Sequence, residues 1–183
     1  MRGGGRLFAV VSRNTGRPMQ TWIRLIIAGT LWASASLAHA VRTGEPAPPL
    51  VLASASGETI DLARLRGLVV YLDFWASWCA PCRRSFPWMN GLLERHGGEG
   101  LVIVGVNVDK RRADADRFLR DVPASFSVVF DAQGVTPTAF DVKGMPSSYL
   151  IDRNGIVVAV EEGFHDEHVA ALEARIRALL AAR

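Results

Sequence analysis

Val69-Val70-Tyr71-Leu72-Asp73-Phe74-Trp75-Ala76-Ser77-Trp78-Cys79-Ala80-Pro81-Cys82 runs an apolar, β-branched and aromatic stretch straight into two cysteines. The stretch has the length of one buried strand, and the Arg-rich, then amphipathic residues 83–94 read as a helix. The order strand, tight turn, helix puts Cys79 at or just before the helix start and Cys82 one turn inside. A helix N-terminus offers unpaired N–H groups and a positive dipole end, which favour a sulfur there as thiolate. Cys82 lies on the same face, close enough to Cys79 to close a small disulfide ring.

Both cysteines of the chain lie in this one motif. A structural zinc site needs four ligands, and no second Cys-x-x-Cys or His-x-x-His supplies the others. Haem attachment needs histidine after the second cysteine, where Arg83 stands. Copper held by the two sulfurs with His165 or His168 is a rival reading, that of a copper-binding chaperone. An exported chain normally uses its cysteines for structural bridges. None is spare here, so the pair is itself the redox element, with no other cofactor and no metal expected. The Cys79 thiolate attacks a disulfide, and Cys82 then displaces the captured partner. Two other rivals are a peroxidase and a non-catalytic interaction module. Against the peroxidase, no threonine stands three residues before either cysteine.

Three neighbours complete the candidate site. Asp73 is a lone carboxylate in an apolar strand, where burial raises its pKa and suits it to take and return the Cys82 proton; the alternative places it facing solvent at a strand end. Pro81 falls in the first helical turn, where its missing N–H loses no hydrogen bond, and it stiffens the ring between the sulfurs. Trp78 either packs inward or frames the pair. Arg83 and Arg84 either add positive potential near Cys79 or are merely exposed. No role is assigned to His96, His165 or His168.

At 183 residues and 49% apolar content, a single domain with a real core is expected. The net charge of +3 is carried by the leader: residues 1–40 hold five arginines and no acid, leaving 16 basic against 18 acidic residues beyond. That balance gives no basic face for nucleic acid. Within residues 1–40 a basic segment ends at Arg24, an apolar stretch spans 25–37, and Ala38-His39-Ala40 has the small-x-small form of a cleavage site. A cleaved signal peptide is expected, or else a membrane anchor, with Met19 as a rival start. Residues 41–183 form the functional domain.

Along that domain, residues 50–52 and 58–61 form a hairpin about Ser56-Gly57, and residues 62–67 a helical turn stopped by glycine. After the active-site helix, 80–96 and broken by Gly97-Gly98, residues 101–108 form a buried strand. Residues 110–121 form a helix with Ala113, Ala115, Phe118 and Leu119 inward, and Lys110-Arg111-Arg112 lies on its solvated face. A short strand at 127–130 and a helical segment at 136–140 follow. A hairpin of 148–152 and 156–161 turns at Arg153-Asn154-Gly155, and a last helix spans 167–180. Strands alternating with helices, then a hairpin and a helix, give a mixed α/β sheet.

The Trp-Cys-x-Pro-Cys core after Asp-Phe-Trp-Ala resembles the thioredoxin superfamily. Residues 42–180 are most similar to its extracytoplasmic branch, the TlpA, ResA and CcmG type. The resemblance implies a thioredoxin fold, a mixed central sheet flanked by helices, with an N-terminal β-hairpin extension and a helix–strand insert at 110–140. It makes Trp78 a surface aromatic beside the disulfide and gives Asp73 the proton-transfer task. It also implies a kink at Pro87. It makes Gly144-Met145-Pro146-Ser147-Ser148-Tyr149 the loop with a cis peptide at Met145–Pro146, the Met145 backbone pairing with an extended client segment; otherwise Pro146 is an ordinary loop proline. Many members of the branch carry an amide at the Asp73 position and a glutamate where this chain has Ser85, so here the acid is relocated. The implied activity is that of a periplasmic or inner-membrane-tethered thiol–disulfide oxidoreductase, reducing selected protein disulfides in cytochrome c maturation or at copper-site cysteines. The implied partners are those clients and a DsbD- or CcdA-like membrane thiol donor. The protein is expected to be a monomer.

Overall fold

A computed structural model describes residues 41–182. The expected signal peptide or anchor at 1–40 lies outside the described residues. The chain runs β1 (Val51–Ala53), β2 (Thr59–Asp61), a 3₁₀ turn (Leu62–Leu65), β3 (Val69–Trp75), α1 (Cys82–His96), β4 (Leu101–Asn107), α2 (Arg112–Asp121), β5 (Ser127–Phe130), α3 (Val135–Ala139), β6 (Ser147–Ile151), β7 (Val157–Glu162) and α4 (Asp166–Ala181). The mixed α/β architecture of the resemblance is present, the 110–140 insert comprising α2, β5 and α3.

The main sheet has the order β5-β4-β3-β6-β7. Strand β3 pairs in parallel with β4 and antiparallel with β6, so it lies at the centre with every residue buried. That position explains its near-continuous apolar run, because a strand covered on both faces has no solvated side to alternate with. Val69, Tyr71 and Trp75 point into a cluster with Phe86, Met89 and Leu92 of α1, Phe118 of α2 and Ile176 of α4. Val70, Leu72 and Phe74 point the other way, against Leu50, Leu62, Phe140 and Tyr149.

The N-terminal extension covers part of each sheet edge. Gly44 N–H donates to the Val157 carbonyl (2.8 Å) beside β7, and Ala55 N–H donates to the Val128 carbonyl (2.9 Å) in β5. Unpaired edge groups that would otherwise recruit another strand are thereby satisfied. At the β6–β7 turn, Asp152 Oδ1 accepts from the Asn154 and Ile156 N–H groups (2.9 and 2.8 Å), and Gly155 takes a left-handed φ of 72°.

One expectation for the insert fails. Ala113 is exposed, and the buried stripe is Ala115 and Phe118, with Leu119 and Val122 packed beside them. These positions follow i, i+3, i+4, i+7, and at about 100° per residue Ala113 stands roughly 200° from Ala115, on the opposite side. The Lys110-Arg111-Arg112 run is exposed as expected, with Arg111 paired to Asp114 and Arg112 to Asp116 (both 2.8 Å).

Candidate active site

Strand β3 ends at Trp75 against an aromatic buttress. Its ring lies 4.9 Å from Phe86 and 4.8 Å from Phe118, and Phe86 lies 5.1 Å from Phe126. Such pairs contribute about 0.5–1.5 kcal/mol each beyond area burial, so the last residue before the active turn is firmly seated. The turn then closes with Cys79 N–H donating to the Ala76 carbonyl (3.0 Å). Helix α1 begins at Cys82, with Pro81 as its cap residue. Cys82 is therefore the first helical residue, not one turn inside. The chain stays in a turn through Ala80, and Pro81, which has no N–H to donate, marks the entry to the helix.

Cys79 and Cys82 are joined by a disulfide, with their Cα atoms 5.4 Å apart, inside the usual range. Both are buried, but Cys79 retains 3% exposure and Cys82 none. The Cys82 N–H donates to Cys79 Sγ (3.2 Å). This amide belongs to the first turn of α1 and has no intrahelical acceptor, so it is free to serve the sulfur. The later helix start thus keeps Cys79 at the positive end of α1.

Asp73 is 2% exposed in mid-strand, which removes the solvent-facing alternative. It shares a sheet face with Tyr71 and Trp75, the face packed by Cys82 and α1. Its register partners are Gly105 on β4 and Ser148 on β6. Oδ2 has no hydrogen-bond partner, and burial pushes the carboxyl well above the ordinary aspartate range. Ser148 Oγ accepts from the Tyr71 hydroxyl (2.7 Å), whose own ionisation is pushed up by burial and then by the Asp73 charge. Ser85 is buried and donates to the Cys82 carbonyl (3.2 Å).

The Met145–Pro146 peptide bond is cis. Because Ser147 pairs with Phe74, this loop runs alongside the end of β3 and the active turn. Pro146 is buried, and half-buried Met145 packs against both core clusters. Trp78 is 70% exposed, so it does not pack inward. Cys79, Cys82, Trp78, Pro81, Met145 and Pro146 thus lie at the C-terminal end of β3 and the N-terminal ends of α1 and β6, where open α/β sheets carry their sites, with Asp73 two residues inside the end of β3.

Other polar residues are directed elsewhere. Arg83 pairs with Asp121 (3.7 Å), and Arg84 with Asp166 (2.6 Å) and the Phe164 carbonyl (3.3 Å). His168 meets Glu161 (3.2 Å), and His165 meets the Glu162 carbonyl (3.1 Å). Among the described residues, no three His, Cys, Asp or Glu side chains converge on a metal position. The copper reading therefore finds no third ligand beside the sulfurs within residues 41–182.

Sequence reasoning passed over Ser77, Asn107 and Asp109. The Asp109 carboxylate accepts from Ser77 N–H and Ser77 hydroxyl (2.9 Å each) and from Asn107 Nδ2 (2.8 Å). Its available signal was Asn107-Val108-Asp109, polar residues closing a buried strand beside the motif strand.

A profile of the AhpC/TSA family matches residues 43–160. The thiol-disulfide oxidoreductase ResA of Bacillus subtilis (strain 168) is 35% identical over 125 residues, 68% of this chain and 70% of that protein. ResA of Geobacillus kaustophilus (strain HTA426) is 36% identical over 124 residues, 68% and 71% of the two chains. Among solved structures, one titled as a thiol:disulfide interchange protein DsbE from Chlorobium tepidum superposes with a TM-score of 0.75 at 47% identity, covering 78% of this chain and 100% of that one. One titled as a protein disulfide isomerase from Bacteroides thetaiotaomicron gives 0.72 at 27% identity, covering 76% and 91%.

Proposed function

The chain belongs to the AhpC/TSA family of the thioredoxin superfamily and is a thiol–disulfide oxidoreductase, and we propose that it works outside the cytoplasm as a reductant of selected protein disulfides. The observation that carries the reading is the buried Cys79–Cys82 disulfide, exposed only at Cys79 and flanked by the solvent-facing Trp78. A partner can reach one sulfur while the other waits behind it.

In the reduced protein, the Cys79 thiolate attacks a client disulfide, forming a mixed disulfide and releasing one client sulfur as thiolate. Cys82 gives its proton to the Asp73 carboxylate and attacks Cys79 Sγ. The protein disulfide closes, the second client sulfur leaves, and two electrons have passed to the client. In the return half-cycle, a donor thiolate attacks Cys79 Sγ, Asp73 returns the proton to the departing Cys82 sulfur, and a second donor thiol displaces Cys79 as thiolate, leaving the donor as a disulfide. Burial of Asp73 on the α1-facing side of β3 supports this role, because a carboxyl raised toward neutrality exchanges protons more evenly with a thiol. Trp78, Pro81 and Met145 form the client-facing surface around Cys79, the Met145 backbone adding to an extended client segment and buried cis-Pro146 shaping the loop behind it.

The clients in this reading are apocytochrome c haem-binding cysteines or copper-site cysteines, and electrons arrive from a DsbD- or CcdA-like membrane thiol carrier. The protein acts in the periplasm, released or held at the inner membrane. Equilibration of the purified protein with glutathione tests the direction. A reduction potential near about −270 mV supports a reductant, whereas one near about −120 mV makes it an oxidant and overturns the reading.

A further inference from the structure

We propose that Asp109 is a positioning residue for the attacking sulfur, its carboxylate holding the Ala76–Cys79 turn so that Cys79 Sγ meets the Cys82 N–H. The inference deepens the functional reading above and rests on Cys79 being the nucleophile.

The turn is bracketed from both sides. Upstream, Asp109 Oδ2 accepts from Ser77 N–H and Oδ1 from Ser77 hydroxyl (2.9 Å each). Downstream, Cys79 Sγ accepts from the Cys82 N–H (3.2 Å). Between them, Cys79 N–H is tied to Ala76 O (3.0 Å). The carboxylate is itself fixed. It is 7% exposed, it accepts from Asn107 Nδ2 (2.8 Å), and its own N–H donates to Asn107 Oδ1 (3.1 Å). Val108 N–H reaches the Trp75 carbonyl (3.0 Å), which locks the end of β4 to the end of β3. No Lys, Arg or His pairs with Asp109 among the described residues, so its negative charge is met by the turn and Asn107 alone. Charge-assisted bonds of this kind are the strong ones, and both act on a residue two before the nucleophile.

Position and charge predict opposite results. If the clamp works by position, losing it frees Cys79 Sγ from the Cys82 N–H and makes the thiolate harder to form. If Asp109 acted only through its charge, removing that charge would make the thiolate easier to form.

The test is iodoacetamide alkylation of the reduced protein across pH 5–9, with the modified cysteine identified by mass spectrometry, for wild type, Asp109→Ala, Ser77→Ala and Ser77→Thr. Expected are an upward displacement of the Cys79 alkylation midpoint and a rate at pH 6 lower by about tenfold in Asp109→Ala, and by a smaller factor in Ser77→Ala. Ser77→Thr, which keeps the hydroxyl, restores the wild-type midpoint. Midpoints of Asp109→Ala and Ser77→Ala that coincide with wild type overturn the proposal, even where melting temperatures fall. A midpoint displaced downward in Asp109→Ala overturns it in favour of a charge effect. If Asp109→Ala does not fold, Ser77→Ala decides alone, since it removes one bond and leaves the Ser77 N–H contact. Alkylation of Cys82 ahead of Cys79 in the wild type overturns the assignment of the nucleophile, and the inference with it; that failure is told apart because it shows before any variant is made.

Discussion

Asp73 and Gly105 stand directly opposite each other on parallel strands β3 and β4, so the register partner of the buried carboxyl on β4 brings no side chain of its own. Its polar company comes from β6, where Ser148 faces it, and from the Tyr71 hydroxyl bonded to Ser148. An unpartnered oxygen in such a place is expensive to ionise.

That arrangement dictates a pH signature for Asp73→Asn. Burial raises the folded carboxyl well above its ordinary value, so the folded protein holds a proton that the unfolded chain releases near about pH 4. Stability from this group is complete below that pH and is lost as pH climbs through the raised folded value. Each unit of upward shift corresponds to about 1.4 kcal/mol, or roughly 5 °C in Tm for a domain of this size. Melting of the oxidised protein between pH 4 and 8 should therefore show Asp73→Asn gaining on wild type as pH rises. In single-turnover kinetics the variant should resolve the mixed disulfide at least about 100-fold more slowly, the low end for a general base, with the first attack largely intact. Equal slowing of both steps sinks the proton-transfer role.

Gly105→Ala addresses the other half of the pair. A Cβ there would come within 2.9 Å of the Phe126 ring and 3.2 Å of Trp75 Nε1. Both rings belong to the buttress beneath the active turn and are held by Phe86 and Phe118, so neither can withdraw freely. Overpacking of this sort costs about 1–3 kcal/mol. Urea unfolding should show a lower midpoint at constant m-value, and an unchanged midpoint would mean that the aromatic cluster yields more easily than its packing suggests.

What could be read before the fold was known depended on the range of each interaction. The seven-residue apolar run of β3 and the Cys-Ala-Pro-Cys turn are local, and both were legible. The cis bond at Pro146 was legible only through likeness to related chains, since nothing in residues 144–149 alone forces it. Two readings slipped for local reasons. Ala113 is apolar but out of helical phase with Ala115 and Phe118, and Pro81 moved the helix start to Cys82. The Asp109–Ser77 clamp could not be foreseen, because it joins residues 32 apart and exists only once β3 and β4 lie side by side.

Trp78 separates recognition from stability. At 70% exposure it contributes little to the core, so Trp78→Ala should stay within about 0.5 kcal/mol of wild type in stability. In the proposed function its indole, next to Cys79 in the chain, meets the client, and losing an aromatic contact of about 1.4 kcal/mol lowers kcat/KM roughly tenfold. The loss should fall on KM more than on kcat with a folded disulfide client. A large drop in Tm would instead make Trp78 a packing residue.

The two cysteines differ in exposure, 3% against 0%, and the proposed order of action, Cys79 first and Cys82 second, follows that difference. Cys82→Ser leaves the reachable sulfur without its resolving partner, so mixed disulfides with clients should accumulate and persist on non-reducing gels. Cys79→Ser removes the sulfur that clients meet first and should trap nothing, because Cys82 has no exposed surface. Trapping by Cys79→Ser in place of Cys82→Ser would reverse the roles. The same pair of variants weighs the copper reading. With no third ligand converging on the sulfurs among the described residues, the reduced protein should not retain copper at one equivalent through gel filtration. Stoichiometric retention, abolished in Cys79→Ser, would make the motif a metal carrier and displace the redox assignment.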